Sequence, residues 1–168
     1  MTVLACVALC VQAFLVSLLV VVKARKTILN NDYMKENFAK LHAEAFPGQR
    51  PPLLGFPDAG SGVYANALPY KAWVTFNNAM RAHLNIVEQL HFLIPFIMVA
   101  GLIVPQITLY FAWLGVFSRV AYVIGYVVKG ANARMFGAAF NLFPIYIVGF
   151  ISIYVLGRNT LSGNWIAA

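Results

Sequence analysis

Arg81, Asn85 and Glu88 stand at i, i+4 and i+7 in a stretch that runs straight into apolar residues 90–104. On a helix turning about 100° per residue, the three fall within roughly 60° of one another. They make one polar stripe on a helix otherwise suited to hydrocarbon. A charge at membrane depth costs from about 3 to more than 10 kcal/mol, depending on how far it can snorkel, so such a stripe normally faces a bundle interior, a partner or a ligand. A second stripe follows: Arg119, Tyr122 and Tyr126 at i, i+3 and i+7, again within about 60°. One reading is structural, with Glu88 and Arg119 paired inside the bundle and the tyrosines filling the interface. The other is a ligand site. Two arginines against one carboxylate, with Asn85, two phenols and the further Arg134, suit an acidic peptide-like ligand, because guanidinium binds carboxylates bidentately.

The elements that must position these groups follow from composition. Of 168 residues, 61% are hydrophobic and only 10% charged, which places the chain with integral membrane proteins. Four apolar segments, approximately 3–22, 73–104, 107–128 and 135–156, reach the roughly 20 residues needed to cross a bilayer core. The expected fold is therefore all-α: a four-transmembrane-helix bundle forming a single membrane domain over residues 1–168. The first segment lacks a basic n-region and is followed by Lys23, Arg25 and Lys26, so it reads as a retained anchor and not a cleaved signal. Seven of the twelve Lys and Arg residues lie in the connection 23–72, and Lys129 and Arg134 flank the turn after the third segment. By the positive-inside rule both connections are cytoplasmic and both termini face the other side. The net charge of +7 sits at membrane edges, suits anionic lipid headgroups, and comes with no nucleic-acid module.

The connection holds most of the soluble character. A short amphipathic helix over 32–45 would lay Tyr33, Phe38, Leu41 and Phe46 on the interface. Beyond it, Pro47-Gly48, Pro51-Pro52 and the Gly-rich run from Gly55 to Gly62 read as a plain loop, since no Gly-Lys-Ser/Thr follows and no strand precedes. The second span, about 33 residues, is longer than the core requires, so its polar first half projects toward the headgroups. Pro95 and Pro144 are expected to kink the second and fourth spans. Gly115, Ser118, Ala121 and Gly125 permit close helix approach in the third. Cys6 and Cys10, on one face of the first span, read as packing residues. His83 and His91 have no third ligand at suitable spacing, so no metal is expected. Trp113, Phe111 and Phe117 read as lipid-facing or packing aromatics.

Arg-Ala-His-Leu-Asn-x-x-Glu on the second helix, with Arg-x-x-Tyr-x-x-x-Tyr on the third and a basic residue beyond it, resembles the MAPEG family of membrane proteins in eicosanoid and glutathione metabolism. That family includes the microsomal glutathione transferases, leukotriene C synthase and the microsomal prostaglandin E synthase. The resemblance covers the whole length. It implies a homotrimer with glutathione held between adjacent subunits and open to the cytoplasm, in the endoplasmic reticulum of a eukaryote or the inner membrane of a bacterium. It also implies that Arg81, Asn85 and Glu88 hold glutathione from the second helix, that Arg119, Tyr122 and Tyr126 line the site from the third, and that Lys23, Arg25 or Lys26 supply carboxylate contacts. Arg134 would be the residue near the thiol, one residue further from Tyr126 than in the leukotriene branch. Tyr122 stands where the prostaglandin branch has histidine, Met135 where it has serine, and Gln89 where the leukotriene branch has tyrosine. Neither specialised synthase is matched.

The activity implied is transfer of the glutathione thiolate to an apolar electrophile arriving laterally from the bilayer, or reduction of a lipid hydroperoxide. A thiol titrates near about 8.5, whereas the thiolate is the nucleophile. Lowering that value by roughly 2 units takes about 3 kcal/mol, within reach of a guanidinium in a partly desolvated pocket. Arg134 is expected to supply it, with Tyr126 or Tyr122 donating hydrogen bonds. The competing class is a noncatalytic lipid-presenting scaffold of the same family. A channel or transporter is disfavoured by the absence of discontinuous repeats or a filter motif.

Overall fold

The computed structural model describes residues 1–162, the side chains of Arg134, Phe136, Asn141 and Pro144 excepted. Among these residues there is helix and loop but no strand. Four helices are long and apolar enough to cross a membrane: Thr2–Ile28, Tyr70–Ile103, Pro105–Lys129 and Ala131–Leu161. Each outruns its expected apolar segment at one end or both, because a helix that has satisfied its backbone in hydrocarbon continues until a cap or a breaker stops it. The second and third spans meet at Val104, where Pro105 occupies the first helical turn of the third and loses no hydrogen bond there. Gly130, at φ +86°, ends the third span, a backbone conformation that glycine adopts at little cost. Pro95 lies inside the second span, which remains one helix from Tyr70 to Ile103; Pro144 lies outside the described side chains.

Two features have no counterpart in the apolar pattern. Five-residue π-helical turns interrupt the first and third spans at Ser17–Val21 and Gly125–Lys129. A π turn holds one residue more than an α turn and recurs at functional sites. The second of them contains Tyr126.

The chain divides into two compact units. The first comprises Met1–Phe14 and the chain from Asn85 onward. Its core takes Cys6 and Leu9 from the first span, Leu93 and Ile97 from the second, Ala112 and Val116 from the third and Ile145 from the fourth, so all four spans meet there as a bundle. Gly115 and Ser118 are buried as expected of close-packing positions, whereas Ala121 is exposed. Cys6 packs in the core; Cys10, contrary to the packing role expected of both, is exposed. Phe117 turns outward beside half-buried Trp113, with ring centroids 6.0 Å apart.

The second unit, Leu15–Leu84, holds the connection. Its helix, Asn31–Ala45, starts at Asn30, whose side chain accepts a hydrogen bond from Tyr33 N at 2.8 Å and so caps an orphan donor of the first turn. The interfacial stripe expected of this helix is split. Phe38 is buried and Tyr33 half-buried, both in an aromatic trio with Tyr64 of the loop, while Leu41 and Phe46 stay exposed. The trio forms because the loop is not a plain one. Asp58 folds it by accepting from the backbone N–H groups of Gly60, Gly62 and Ala65 at 2.8–2.9 Å, starting the short helix Val63–Asn66. Tyr64, Ala65 and Leu68 then pack on Val21 and Phe76 of the spans.

Candidate functional site

The polar stripes are built on helices, and the first unit brings most of their members together. Asn85 donates from Nδ2 to the Tyr122 hydroxyl at 2.6 Å. A phenol that accepts a hydrogen bond from an amide keeps its own O–H to donate elsewhere. Tyr122 and Tyr126 meet edge to face, ring centroids 5.8 Å apart, and both are buried. Their proximity follows from the i, i+4 spacing and persists into the π turn that carries Tyr126.

Arg119, one turn earlier on the third span, is 1% exposed. Its Nη2 donates to the Ile86 carbonyl at 3.0 Å and toward Gln89 Oε1 at 3.5 Å. Nε and Nη1 have no partner. The guanidinium thus bonds to the backbone of the second span at Ile86 and not to Glu88, with which the structural reading pairs it. Gln12 of the first span joins this level, donating to the Val116 carbonyl at 2.7 Å, and leaves its own Oε1 without a partner. Gln12 carried no signal in the sequence beyond being the single amide in an apolar run.

Close helix approach fixes the depth of Tyr122. A Cβ placed on Gly137 of the fourth span would lie 2.5 Å from both N and Cα of Tyr122, which no real side chain tolerates. Only glycine lets the fourth span press on the third there. Gly137 went unnoticed as a functional residue, because a lone glycine in an apolar helix has many readings. Arg134 occupies the start of the same helix, one turn before Gly137, and its side chain lies outside the described residues.

Glu88 and Arg81 are exposed. Arg81 belongs to the second unit, one turn before Asn85 on the same uninterrupted helix. The three cations after the first span separate. Lys23 and Lys26 are exposed, whereas Arg25 is 3% exposed. Arg25 donates from Nη1 to the Leu54 carbonyl at 3.1 Å and from Nη2 to the Asp58 carbonyl. Its guanidinium lies over the Phe56 ring at 4.1 Å and near the Phe76 ring at 5.4 Å. Loop carbonyls and the faces of Phe56 and Phe76 thus replace most of the water that the cation loses, Nε alone being left without a partner. Nothing in the sequence distinguished Arg25 from its two neighbours.

A model of the MAPEG family matches residues 2–154 of the chain. No curated protein and no solved structure gives a significant match.

Proposed function

The chain belongs to the MAPEG family, and from that premise we propose that it is a glutathione-dependent membrane transferase working as a homotrimer. The observation that carries the reading is the Asn85–Tyr122 hydrogen bond, set beside Tyr126 and the incompletely satisfied Arg119 in an otherwise apolar bundle. Such a group of donors suits an anion. Arg81, Asn85 and Glu88 would hold the tripeptide, Glu88 by its ammonium, with Lys23 or Lys26 at a carboxylate. Tyr122, whose hydroxyl already accepts from Asn85, donates its own proton toward the thiolate. Arg134 supplies the positive charge.

In the transfer, the thiol proton leaves to solvent and the sulfur lone pair forms the carbon–sulfur bond as the electrophile accepts the displaced electron pair. With a lipid hydroperoxide the O–O bond breaks instead: two glutathiones are oxidised to the disulfide, and the peroxide becomes alcohol and water. A noncatalytic lipid-presenting scaffold is the second reading. It is favoured by the engagement of Arg25 and Arg119 with backbone carbonyls of their own chain. Arg134→Ala separates the two readings. Loss of about 3 kcal/mol of thiolate stabilisation lowers the transferase rate at neutral pH roughly 100-fold with glutathione binding retained; an unchanged rate removes Arg134 from the mechanism.

A further inference from the structure

Within the second unit, the helix Asn31–Ala45 and the Asp58 loop enclose a groove of about 550 Å³. Its lining is largely apolar and includes Phe38, Leu41, Phe46, Pro57, Val63 and Tyr64. Three of these are exposed: Leu41 58%, Phe46 52% and Val63 68%. A contiguous apolar rim of this kind marks an interaction surface.

We infer that this groove seats an acyl chain of the leaflet from which the connection emerges. Three observations select lipid as the occupant. First, residues 29–69 join the end of one helix long and apolar enough to cross a membrane to the start of the next, so two successive crossings hold both ends of this segment at one membrane surface. Second, the groove is continuous with the span ends: Tyr64, in its wall, belongs to the cluster that packs on Val21 and Phe76. Third, the exposed charges of the connection match an anionic surface. Lys23, Lys26, Lys35, Lys40, Arg50 and Lys71 outnumber Asp32, Glu36 and Glu44 by six to three, while Arg25 and Asp58 are buried. Cations that bind headgroups, on the same connection as an apolar slot that accepts a chain, form the two halves of an amphipathic membrane seat. The inference is independent of glutathione.

Spin labels test it. In a full-length background with Cys6 and Cys10 replaced by alanine, single cysteines at Leu41, Phe46 and Val63, and for comparison at Lys40 and Glu44, are labelled in liposomes containing phosphatidylserine. Collisions with oxygen are expected to exceed collisions with a water-soluble nickel chelate at the first three positions, and the order should reverse at Lys40 and Glu44. Transfer to lipid-free amphipol should abolish the contrast. Equal access of both quenchers at Leu41, Phe46 and Val63 in liposomes overturns the inference in favour of an open surface. Shielding that survives in amphipol, with dipolar broadening between labels, overturns it in favour of a second copy of the chain.

Discussion

Among the described residues two arginines are almost wholly withdrawn from solvent, and they are satisfied to different degrees. Arg25, in the second unit, has both terminal nitrogens bonded to loop carbonyls, an aromatic ring against its face and only Nε without a partner. Arg119, in the first, has one terminal nitrogen bonded and two nitrogens without partners. Ten residues separate Arg119 from the end of its span at Lys129, about 15 Å of helix, whereas Arg25 lies close to the end of its own span at Ile28. Burying a cation costs several kcal/mol unless geometry and hydrogen bonds offset it. The loop around Arg25 offsets most of it, leaving Nε alone unbonded, and so the residue works as a fastener. Around Arg119 the offset is incomplete, and it lies beside donors able to take an anion. Burial of an arginine does not reveal its role; the satisfaction of its nitrogens does.

The largest expected effect falls on the fastener's side of this comparison. Asp58→Ala removes the acceptor of three backbone N–H groups and should lower stability by about 3 kcal/mol. Thermal unfolding in detergent would read the loss, and hydrogen exchange would place it in the loop. A variant with normal stability would mean that the loop is held by something else.

Next in size is Gly137→Ala. Its Cβ meets the backbone of Tyr122, not a movable side chain, so the spans must part at a cost of about 2 kcal/mol. Because the displaced residue is Tyr122, transferase activity should fall along with stability; a stable variant of full activity would show that the contact is dispensable. The smallest effect sharpens the contrast most. Tyr122→Phe should leave the melting temperature nearly unchanged and raise the bound thiol's pKa by about 1 unit, near 1.4 kcal/mol. An equal change from Asp58→Ala, read by the same thiol titration, would erase the distinction between the two regions.

Much of this arrangement was written in the pattern of residues. Apolar runs delimit the four spans, and the 3.6-residue period puts Asn85, Arg119, Tyr122 and Tyr126 on the faces that meet. The connection helix begins within one residue of its expected start, since its cap and its apolar spacing are local signals. What escaped is non-local. The π turns leave no compositional trace, because a shifted hydrogen-bond pattern needs no special residue. The engagement of Arg25 depends on carbonyls 29 and 33 residues away. The interior direction of Arg119 depends on the carbonyl of Ile86, and every residue has a carbonyl. Asp58 offered a partial hint: an aspartate two and four residues before glycines can bond their free N–H groups. Gly60, at φ +112° and bonded through its carbonyl to Asn77, follows from the same local logic. The split of the connection helix's apolar face between loop and outside could not be read, because period alone says which residues share a face and not what covers it.

The most direct test of the anion-binding reading is a glutathione titration of the purified protein in detergent, followed by ultraviolet absorbance of the thiolate at neutral pH. Saturable thiolate formation, weakened in Tyr122→Phe and turned over on addition of an aromatic electrophile, is the expected result. A folded protein that binds no glutathione would contradict the reading, and would make both polar stripes structural elements of a lipid-binding scaffold.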